Sequence, residues 1–372
     1  MQQLKNMRVI VSGGGTGGHI FPAVAIANAI KEAAPAAEIL FVGAKGRMEM
    51  EKVPAAGYPI MGLWISGLQR RLTIDNLSFP FKVVFSFLKA RQIIREFKPD
   101  MAIGTGGYAS WPTLSAAAKK GIPTFIQEQN SFPGITNKKL AKRAKLIFVA
   151  YNGMEKYFPA DKLRLFGNPI RHDIAGNNIS RNEASAFFGL DAAKKTLLIV
   201  GGSLGALTIN ESISEGLKLF ADNNIQVLWQ TGKSYAGKAA AAVISASGAK
   251  QVTLPFISRM DLAYAAADFI VSRAGAIAIS EICAVGKPCI LVPSPNVAED
   301  HQTKNAMALA EKNAALVVSD QRARNELADE IIKLAADESL KLKLKTNISK
   351  LAHKNAAAEI AAEILKTVRT KH

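Results

Sequence analysis

The sequence has few cysteines and no long apolar run, and both shortages exclude whole classes of protein. Its 372 residues include two cysteines, Cys283 and Cys289, which lie in one apolar stretch. This placement predicts reduced packing residues rather than a disulfide or a metal cluster. Because no run of about 18 uncharged apolar residues occurs, no membrane-spanning helix is predicted. Residues 1–7 lead into a short strand rather than an apolar signal-peptide core, so we expect a cytoplasmic protein.

Acidic residues are also in short supply. Asp and Glu total 30 against 47 Lys and Arg, which gives a net charge of +17. Residues 1–170 hold about 13 of these excess positive charges and the rest about 4, so we expect the first half to face something anionic. Nucleic acid, an anionic membrane leaflet and a phosphorylated substrate all qualify. No helix-turn-helix, zinc-finger or RNP-type pattern occurs, so nucleic acid is not an expected partner.

Short β-rich runs alternate with helical stretches along the chain, a pattern typical of parallel α/β folds. The predicted strands of the first half cover 8–12, 38–43, 101–104, 123–127 and 146–149, and those of the second cover 196–200, 226–229, 251–254, 269–272 and 288–292. The length also favours two domains. We therefore predict two doubly wound, Rossmann-like domains, over 1–170 and 171–351, with a C-terminal helix at about 352–372 that packs back on the first.

The first predicted strand runs into a glycine loop, Gly13-Gly-Gly-Thr-Gly-Gly-His19, and then into a helix. Glycines let a ligand approach the backbone closely, and a helix start offers unpaired N–H groups to an anion. The spacing also fits a dinucleotide-binding fingerprint, which requires an acid at the end of the second strand. That strand ends in Phe41-Val42-Gly43 and its nearby acid, Glu38, stands at its beginning. The pattern therefore favours another phosphate-bearing ligand over NAD.

Two similar junctions follow in the second half. Gly201-Gly-Ser-Leu-Gly-Ala206 comes after the first strand there, and Ser203 could both donate to and accept from a phosphate or a sugar hydroxyl. In the segment 273–281, Gly275 opens a helix whose first amides could hold a diphosphate, while the Glu281 carboxylate could accept from both ribose hydroxyls. Three such loops in one chain predict a nucleotide-diphosphate ligand held between domains.

Further motifs follow in a fixed order: Gly104-Thr-Gly-Gly-Tyr-Ala-Ser110, Glu128-Gln-Asn130, Gly167-Asn-Pro-Ile-Arg171 and Asp300-His-Gln-Thr-Lys-Asn-Ala306. Together with the glycine loops they resemble the MurG family, the bacterial N-acetylglucosaminyltransferases that convert lipid I to lipid II in peptidoglycan synthesis. The resemblance implies an α/β, GT-B architecture in which two Rossmann-like domains face each other across a cleft.

The implied reaction is inverting transfer of GlcNAc from UDP-GlcNAc to the C4 hydroxyl of the MurNAc of undecaprenyl-linked lipid I. No cofactor is implied. The resemblance places the enzyme peripherally on the cytoplasmic face of the cell inner membrane, against an anionic membrane surface, with partners in a cell-wall synthesis complex as a further possibility.

The resemblance also assigns roles to individual residues. Those implied to bind UDP-GlcNAc are Thr16, Gly17, Gly18, Asn130, Arg171, Ser203, Ile257 (through its backbone, to uracil), Ala276, Ile277, Ala278, Ile279, Ser280, Glu281 and Gln302. Those implied to bind the acceptor are Gly14, Gly15, Gly106, Gly107 and Tyr108. The chain departs from the family pattern at Ala278, where many members have Thr, and at His301, where a Gln pair is usual.

The transfer requires a base for the hydroxyl proton and stabilisation of the departing diphosphate. His19 is the first candidate base, since an imidazole exchanges protons near neutral pH, and Glu128 is the second. No Asp-x-Asp motif occurs, so no metal site is predicted. Helix N-termini and Arg171 would then stabilise the leaving-group charge.

Each assignment has an alternative interpretation in which the residue is only structural. His19 could bond the backbone at a helix start, Glu128 could be a buried hydrogen-bond acceptor, and Ser203 could be a helix N-cap. The remaining residues could form an interdomain salt bridge (Arg171), a helix-edge pair (Glu281), ordinary surface (His301, Gln302) or a tight turn (Gly106, Gly107, Tyr108). The rival functions are a UDP-GlcNAc epimerase, another GT-B transferase acting on a lipid-linked acceptor, and a non-catalytic binding protein.

The segment between Trp64 and Phe97 is apolar and basic. On a helix starting near Pro80, one apolar stripe holds Phe81, Val84, Phe85 and Leu88, and a second holds Val83, Phe87 and Ile94. One stripe can pack on the domain core. The other, surrounded by Arg70, Arg71, Lys82, Lys89, Arg91 and Arg95, is predicted to dip into an anionic leaflet, with Phe87 as the residue to test.

Overall fold

The computed structural model describes residues 7–66, 79–176, 178–202, 205–246, 248–297 and 300–369. It divides into two compact units, Met1–Arg171 with Asn355–His372 (unit 1) and His172–Lys354 (unit 2). Arg171 is therefore the last residue of the first segment of unit 1. The predicted domain boundary lay one residue earlier, between 170 and 171.

Unit 1 is built on seven parallel strands. They are β1 Arg8–Gly13, β2 Glu38–Ala44, β3 Ile60–Leu63, β4 Met101–Gly106, β5 Thr124–Glu128, β6 Leu146–Val149 and β7 Leu163–Leu165. Their order in the sheet is β3-β2-β1-β4-β5-β6-β7. The chain therefore winds outward twice from the centre, and the direction of winding changes between β1 and β4.

The helices of unit 1 cover both faces of this sheet. They are α1 Gly17–Ala33, α2 Glu49–Ala55, α3 Phe79–Phe97, α4 Ser110–Lys119, α5 Ile135–Ala141 and the C-terminal α15 Ala356–Arg369. Alternate residues of a strand point to opposite faces. Val9 and Val11 accordingly pack in one core with α1 and α15, while Ile10 packs in a second core with α3, α4 and α5.

Unit 2 repeats the architecture with six parallel strands in the order β10-β9-β8-β11-β12-β13. The strands are β8 Lys195–Val200, β9 Ile225–Gln230, β10 Gln251–Leu254, β11 Phe269–Ser272, β12 Cys289–Leu291 and β13 Leu316–Val317. Its helices are α6 His172–Ala175, α7 Arg181–Phe188, α8 Leu207–Asp222, α9 Ala236–Ser245, α10 Met260–Ala266, α11 Ala276–Val285, α12 His301–Ala310, α13 Asp320–Ala336 and α14 Glu338–Ser349. On one face of the sheet a core joins β8, β9 and β11 to α8 and α13. Leu198, Leu228 and Ile270, at alternate positions of the same strands, are also fully buried.

The predicted α/β fold with two doubly wound sheets is confirmed, and all ten predicted strands are present. Three strands were missed: β3, β7 and β13. Each has two to four residues and lies at the edge of a sheet, so each has too little apolar periodicity to be recognised.

Two predictions made from the sequence, on the cysteines and on membrane-spanning helices, can be compared with the structure. Cys283 and Cys289 are buried free thiols. Among the described residues, no helix is long and apolar enough to cross a membrane.

Candidate active site

The two glycine loops of unit 1 meet at the carboxyl edge of the sheet, where β1 and β4 are neighbours and Gly13 pairs with Gly106. This is the point at which ligands bind in open α/β sheets. The close approach requires glycine, because a Cβ on Gly107 (φ +85°) would collide with the carbonyl oxygen of Gly14. The predicted acceptor residues, Gly14, Gly15, Gly106 and Gly107, are therefore brought together by the fold.

His19 lies in the first turn of α1, beside both loops. Its Nδ1 atom is 3.0 Å from Oε1 of Gln129, and its carbonyl oxygen accepts a hydrogen bond of 2.8 Å from the Thr105 hydroxyl. A Cβ added to Gly106 (φ +104°) would lie 2.8 Å from Cε1 of the His19 ring. The imidazole thus packs against a residue that must be glycine, and its side chain is partly exposed.

Glu128, the second candidate base, is buried at the end of β5. Oε1 accepts from the Asn130 backbone N–H at 3.1 Å, and Oε2 accepts from Gly134 N–H at 3.1 Å and Asn137 Nδ2 at 2.9 Å. These contacts support the structural alternative, a carboxylate that organises the 129–137 loop. They also position Asn130, which is partly exposed in that loop.

The N-terminal end of α1 contains the three residues predicted to face diphosphate. Thr16 and Gly18 are exposed and Gly17 is partly exposed, and no acidic side chain lies in the first turn. The positive end of the helix dipole can therefore attract an anion. The Gly15 N–H is not available for this purpose, because it donates to Oε2 of Glu49 at 2.8 Å.

Glu49 is a residue that the sequence analysis missed. It is buried in α2, and its second oxygen, Oε1, accepts from the Ala44 N–H at 2.9 Å. A Cβ on Gly14 would collide with the carboxylate. The only signal in the sequence is a glutamate shortly after a predicted buried strand, which is too common a pattern to single out.

Two further predicted residues of unit 1 have clear surroundings. The Arg171 guanidinium lies 5.7 Å from the centre of the Phe21 ring in α1, a cation–π distance. Tyr108 follows the second glycine loop and is half exposed. Tyr108 therefore adjoins a glycine loop directly, and Arg171 contacts the helix that follows the 13–18 loop.

In unit 2 the corresponding point lies between β8 and β11, where the winding again changes direction. Gly275, the N-cap of α11, follows β11, and no side chain caps that helix. The first amides of the helix, those of Ala276, Ile277 and Ala278, are therefore the kind of donors that bind diphosphate. Ser280 donates to the Ala276 carbonyl at 2.9 Å.

Glu281 is 6% exposed on the same helix. Its Oε2 accepts a hydrogen bond of 3.1 Å from the Tyr264 hydroxyl in α10. A carboxylate can accept from several donors, so the Tyr264 contact is compatible with the predicted ribose contact.

The surroundings of Ile257 narrow its predicted backbone contact with uracil to one group. Its N–H donates to Oε1 of Gln230 at 2.9 Å, so the carbonyl oxygen is the backbone group that Ile257 could offer. Gln230, at the end of β9, also donates from Nε2 to the Gly202 carbonyl at 3.0 Å. This buried glutamine, which the sequence analysis missed, connects the 201–206 glycine loop of unit 2 to the 255–257 segment.

Gln302 begins the first turn of α12 together with His301. Its Oε1 accepts from the Ser294 N–H at 2.9 Å, and the amide Nε2 is a group that can donate to sugar hydroxyls. Ser203 lies outside the described residues. Within the described ranges, no group of three or more His, Cys, Asp and Glu side chains is arranged to hold a metal ion.

Comparison with known families and proteins identifies the chain's relatives. Residues 9–149 match the glycosyltransferase family 28 N-terminal domain, and residues 196–364 match the glycosyltransferase family 28 C-terminal domain. These two matches lie in units 1 and 2, apart from the last residues of the second, which enter α15.

Curated relatives are similar over nearly their full length. A UDP-N-acetylglucosamine–N-acetylmuramyl-(pentapeptide) pyrophosphoryl-undecaprenol N-acetylglucosamine transferase of Phocaeicola vulgatus is 57% identical, over 97% of this chain and 96% of its own. The protein of the same description from Cytophaga hutchinsonii is 54% identical, over 100% and 99%. The crystal structure of Acinetobacter baumannii MurG, 27% identical, superposes with a TM-score of 0.77 over 97% of this chain and 99% of that one.

Proposed function

From the premise that this chain belongs to the MurG family of family 28 glycosyltransferases, we propose the following function. The enzyme transfers GlcNAc from UDP-GlcNAc to the C4 hydroxyl of the MurNAc of lipid I and so produces lipid II for peptidoglycan synthesis. The identity of 57% over 97% of the chain to a transferase of that description carries the conclusion.

The acceptor half of the reaction is assigned to unit 1. The glycine loops at 13–18 and 106–107, with Tyr108, would receive the acceptor diphosphate, and His19 would take the proton from the attacking hydroxyl. The burial and hydrogen bonds of Glu128 support His19 rather than Glu128 as the base. As the new bond to the anomeric carbon forms, the bond from that carbon to the diphosphate oxygen breaks, and UDP leaves.

The donor half is assigned to unit 2, with contributions from Asn130 and Arg171. The uncapped start of α11 would stabilise the charge that develops on the leaving diphosphate. Glu281 would accept from the ribose hydroxyls, the carbonyl of Ile257 would accept from uracil, and the Gln302 amide would donate to the sugar. Ser203 and the remaining residues of 276–280 complete the proposed donor site.

One assay tests the proposal. UDP release from UDP-GlcNAc is measured with and without lipid I, and the products are separated. We expect release that depends on lipid I and yields lipid II. Release without acceptor, accompanied by a UDP-sugar epimer, would favour the epimerase alternative. Binding of UDP-GlcNAc without release of UDP in the presence of lipid I would favour a non-catalytic binding protein.

The same premise leads to a proposed location at the cytoplasmic face of the membrane. On α3 the exposed apolar side chains recur at helical spacing and join Trp64, whose ring lies 6.2 Å from that of Phe85. This apolar patch consists of Trp64, Phe81, Val84, Phe85 and Leu88. Lys82, Lys89, Arg91 and Arg95 lie on the same helix, as is typical of a surface that binds anionic lipid.

The choice of stripe needs a correction. Phe87, the residue predicted to test membrane binding, is partly buried and packs edge-on against Trp111 with ring centres 5.0 Å apart. Ile94, of the same stripe, is buried in the unit 1 core. The exposed stripe is the one that contains Phe81, and Arg70 and Arg71 lie outside the described residues.

A further inference from the structure

The side-chain amide of Gln129 is held in one orientation. Its Nε2 atom donates to the Thr105 carbonyl at 2.7 Å and lies 3.2 Å from the Gln127 carbonyl and close to the Gln127 side-chain oxygen. All three neighbours are acceptors. Rotating the amide by 180° would place its oxygen against these oxygens in a site where Gln129 is 1% exposed, and buried polar groups without partners are costly.

A second amide pair supports this arrangement. Gln127 Nε2 donates to Asn168 Oδ1 at 2.9 Å, and Asn168 Nδ2 donates to the Gln129 carbonyl at 3.0 Å. Each donor in this group faces an acceptor. The network is therefore self-consistent in one orientation only, and Oε1 of Gln129 is the atom that faces His19.

This orientation determines where the neutral imidazole carries its proton. Oε1 can only accept, so Nδ1 of His19, 3.0 Å away, must be the protonated nitrogen. Nε2 then carries the lone pair. Within the described ranges, Nε2 makes no hydrogen bond to the protein, so it can accept a proton from a substrate.

We propose that Gln129 is a positioning residue that holds neutral His19 in the Nδ1–H tautomer, so that Nε2 removes the proton from the acceptor hydroxyl. In this step the oxygen attacks the anomeric carbon of the donor, its proton moves to Nε2, and the imidazole becomes an imidazolium whose Nδ1–H still donates to Gln129. UDP leaves with the electron pair of the broken bond. The step rests on the proposed function, whereas the tautomer does not.

The tautomer is measured directly on the free protein by NMR. Spectra of protein with ¹⁵N-labelled histidine are recorded while the pH is raised until the His19 signals no longer change, and the His19→Asn variant assigns these signals. We expect an Nδ1 shift typical of a protonated nitrogen and an Nε2 shift typical of an unprotonated one. The opposite pattern in the unaltered protein would overturn the proposal, even if lipid I-dependent UDP release is normal.

The Gln129→Leu variant removes the acceptor for Nδ1. We expect its Nδ1–H tautomer to lose dominance and kcat to fall on the order of 10-fold or more, with KM for UDP-GlcNAc changed less than about 2-fold. Gln226→Leu is the matched control, since Gln226 is equally buried, lies in β9 of unit 2 and bonds Asp191 and Thr196 rather than any residue around His19. It should keep the tautomer.

A folded Gln129→Leu protein with an unchanged tautomer and unchanged kcat would contradict the proposal. If the unaltered enzyme releases no UDP with lipid I, the proposed function fails, while the NMR result still decides the role of Gln129.

Discussion

The carboxylate of Glu49 holds the glycine loop at Gly15. Oε2 accepts from the Gly15 N–H at 2.8 Å, while Oε1 accepts from the Ala44 N–H at 2.9 Å at the end of β2. Glu49 is fully buried. Helix α2 therefore fixes the 13–18 loop, which is distant in the sequence. The group that fixes it, the Glu49 carboxylate, is buried behind a loop that we propose binds a diphosphate.

Replacement of Glu49 by Ala should destabilise unit 1. It leaves the N–H groups of Gly15 and Ala44 without their acceptor, which should lower the free energy of unfolding by roughly 2 to 4 kcal/mol. Urea denaturation measures the change. Glu51→Ala is the control, since the Glu51 side chain is 79% exposed on the same helix. Equal stabilities of the two variants would show that the loop does not depend on Glu49.

Replacement of Gly106 by Ala should impair catalysis without affecting donor binding. The added methyl group would lie 2.8 Å from the His19 ring at a φ of +104°, so the imidazole must move. We expect kcat to fall on the order of 10-fold or more, with UDP affinity unchanged. Gly121→Ala also places a Cβ at a positive φ (+76°) but with no atom within 4 Å, and should retain kcat. Equal losses in both variants would refute displacement of His19.

Replacement of Glu281 by Ala should weaken UDP-GlcNAc binding. Two lost hydrogen bonds from ribose to a charged acceptor are expected to cost on the order of 2 to 3 kcal/mol, or roughly 30- to 150-fold in affinity. Titration calorimetry measures the Kd for UDP-GlcNAc. Tyr264→Phe removes the hydroxyl that donates to Glu281 but retains the carboxylate, so its effect should be smaller. Unchanged affinity in Glu281→Ala would remove the ribose assignment.

Replacement of Phe81 and Phe85 by Ser should weaken binding to vesicles that contain anionic lipid. These side chains are 65% and 55% exposed in the apolar patch, and burial of such groups in the interface contributes to binding together with the basic residues. Vesicle flotation at low and high salt measures the fraction of protein bound to neutral and to anionic vesicles. Phe187→Ser is the matched control, since Phe187 is 59% exposed in unit 2. Equal binding of neutral and anionic vesicles by the unaltered protein would contradict the electrostatic part of the proposal.

The two thiols should be unreactive in the native protein. Burial raises the pKa of Cys283 to about 12 and also raises the pKa of Cys289. Because the thiolate is the nucleophile, Ellman's reagent at about pH 8 should label both only after unfolding. The stability linked to these protonated thiols is present below the ordinary pKa of about 8.5 and is lost as the pH rises toward 12. Rapid labelling in buffer would show that the two sites open readily.

The sequence by itself determined the fold class, ten of the strands and the glycine loops that follow β1, β4 and β8. These are local features: a buried parallel strand is a short apolar run, and a loop that approaches a ligand or another backbone requires glycine. The order of the motifs was equally sufficient to identify the family, since several short patterns in one order are far more specific than any one of them.

Only the tertiary structure decided which side chains form hydrogen bonds that hold these loops and the candidate base in place. Glu49 and Gln230 lie outside the sequence motifs, and Gln129 lies inside one without an assigned role. The importance of all three comes from partners 27 to 110 positions away. Likewise, helical spacing gave α3 two apolar stripes, but the contact of Phe87 with Trp111 of α4 determined which one is exposed. Periodicity shows that a helix has apolar faces, whereas burial depends on which neighbouring elements pack against each face.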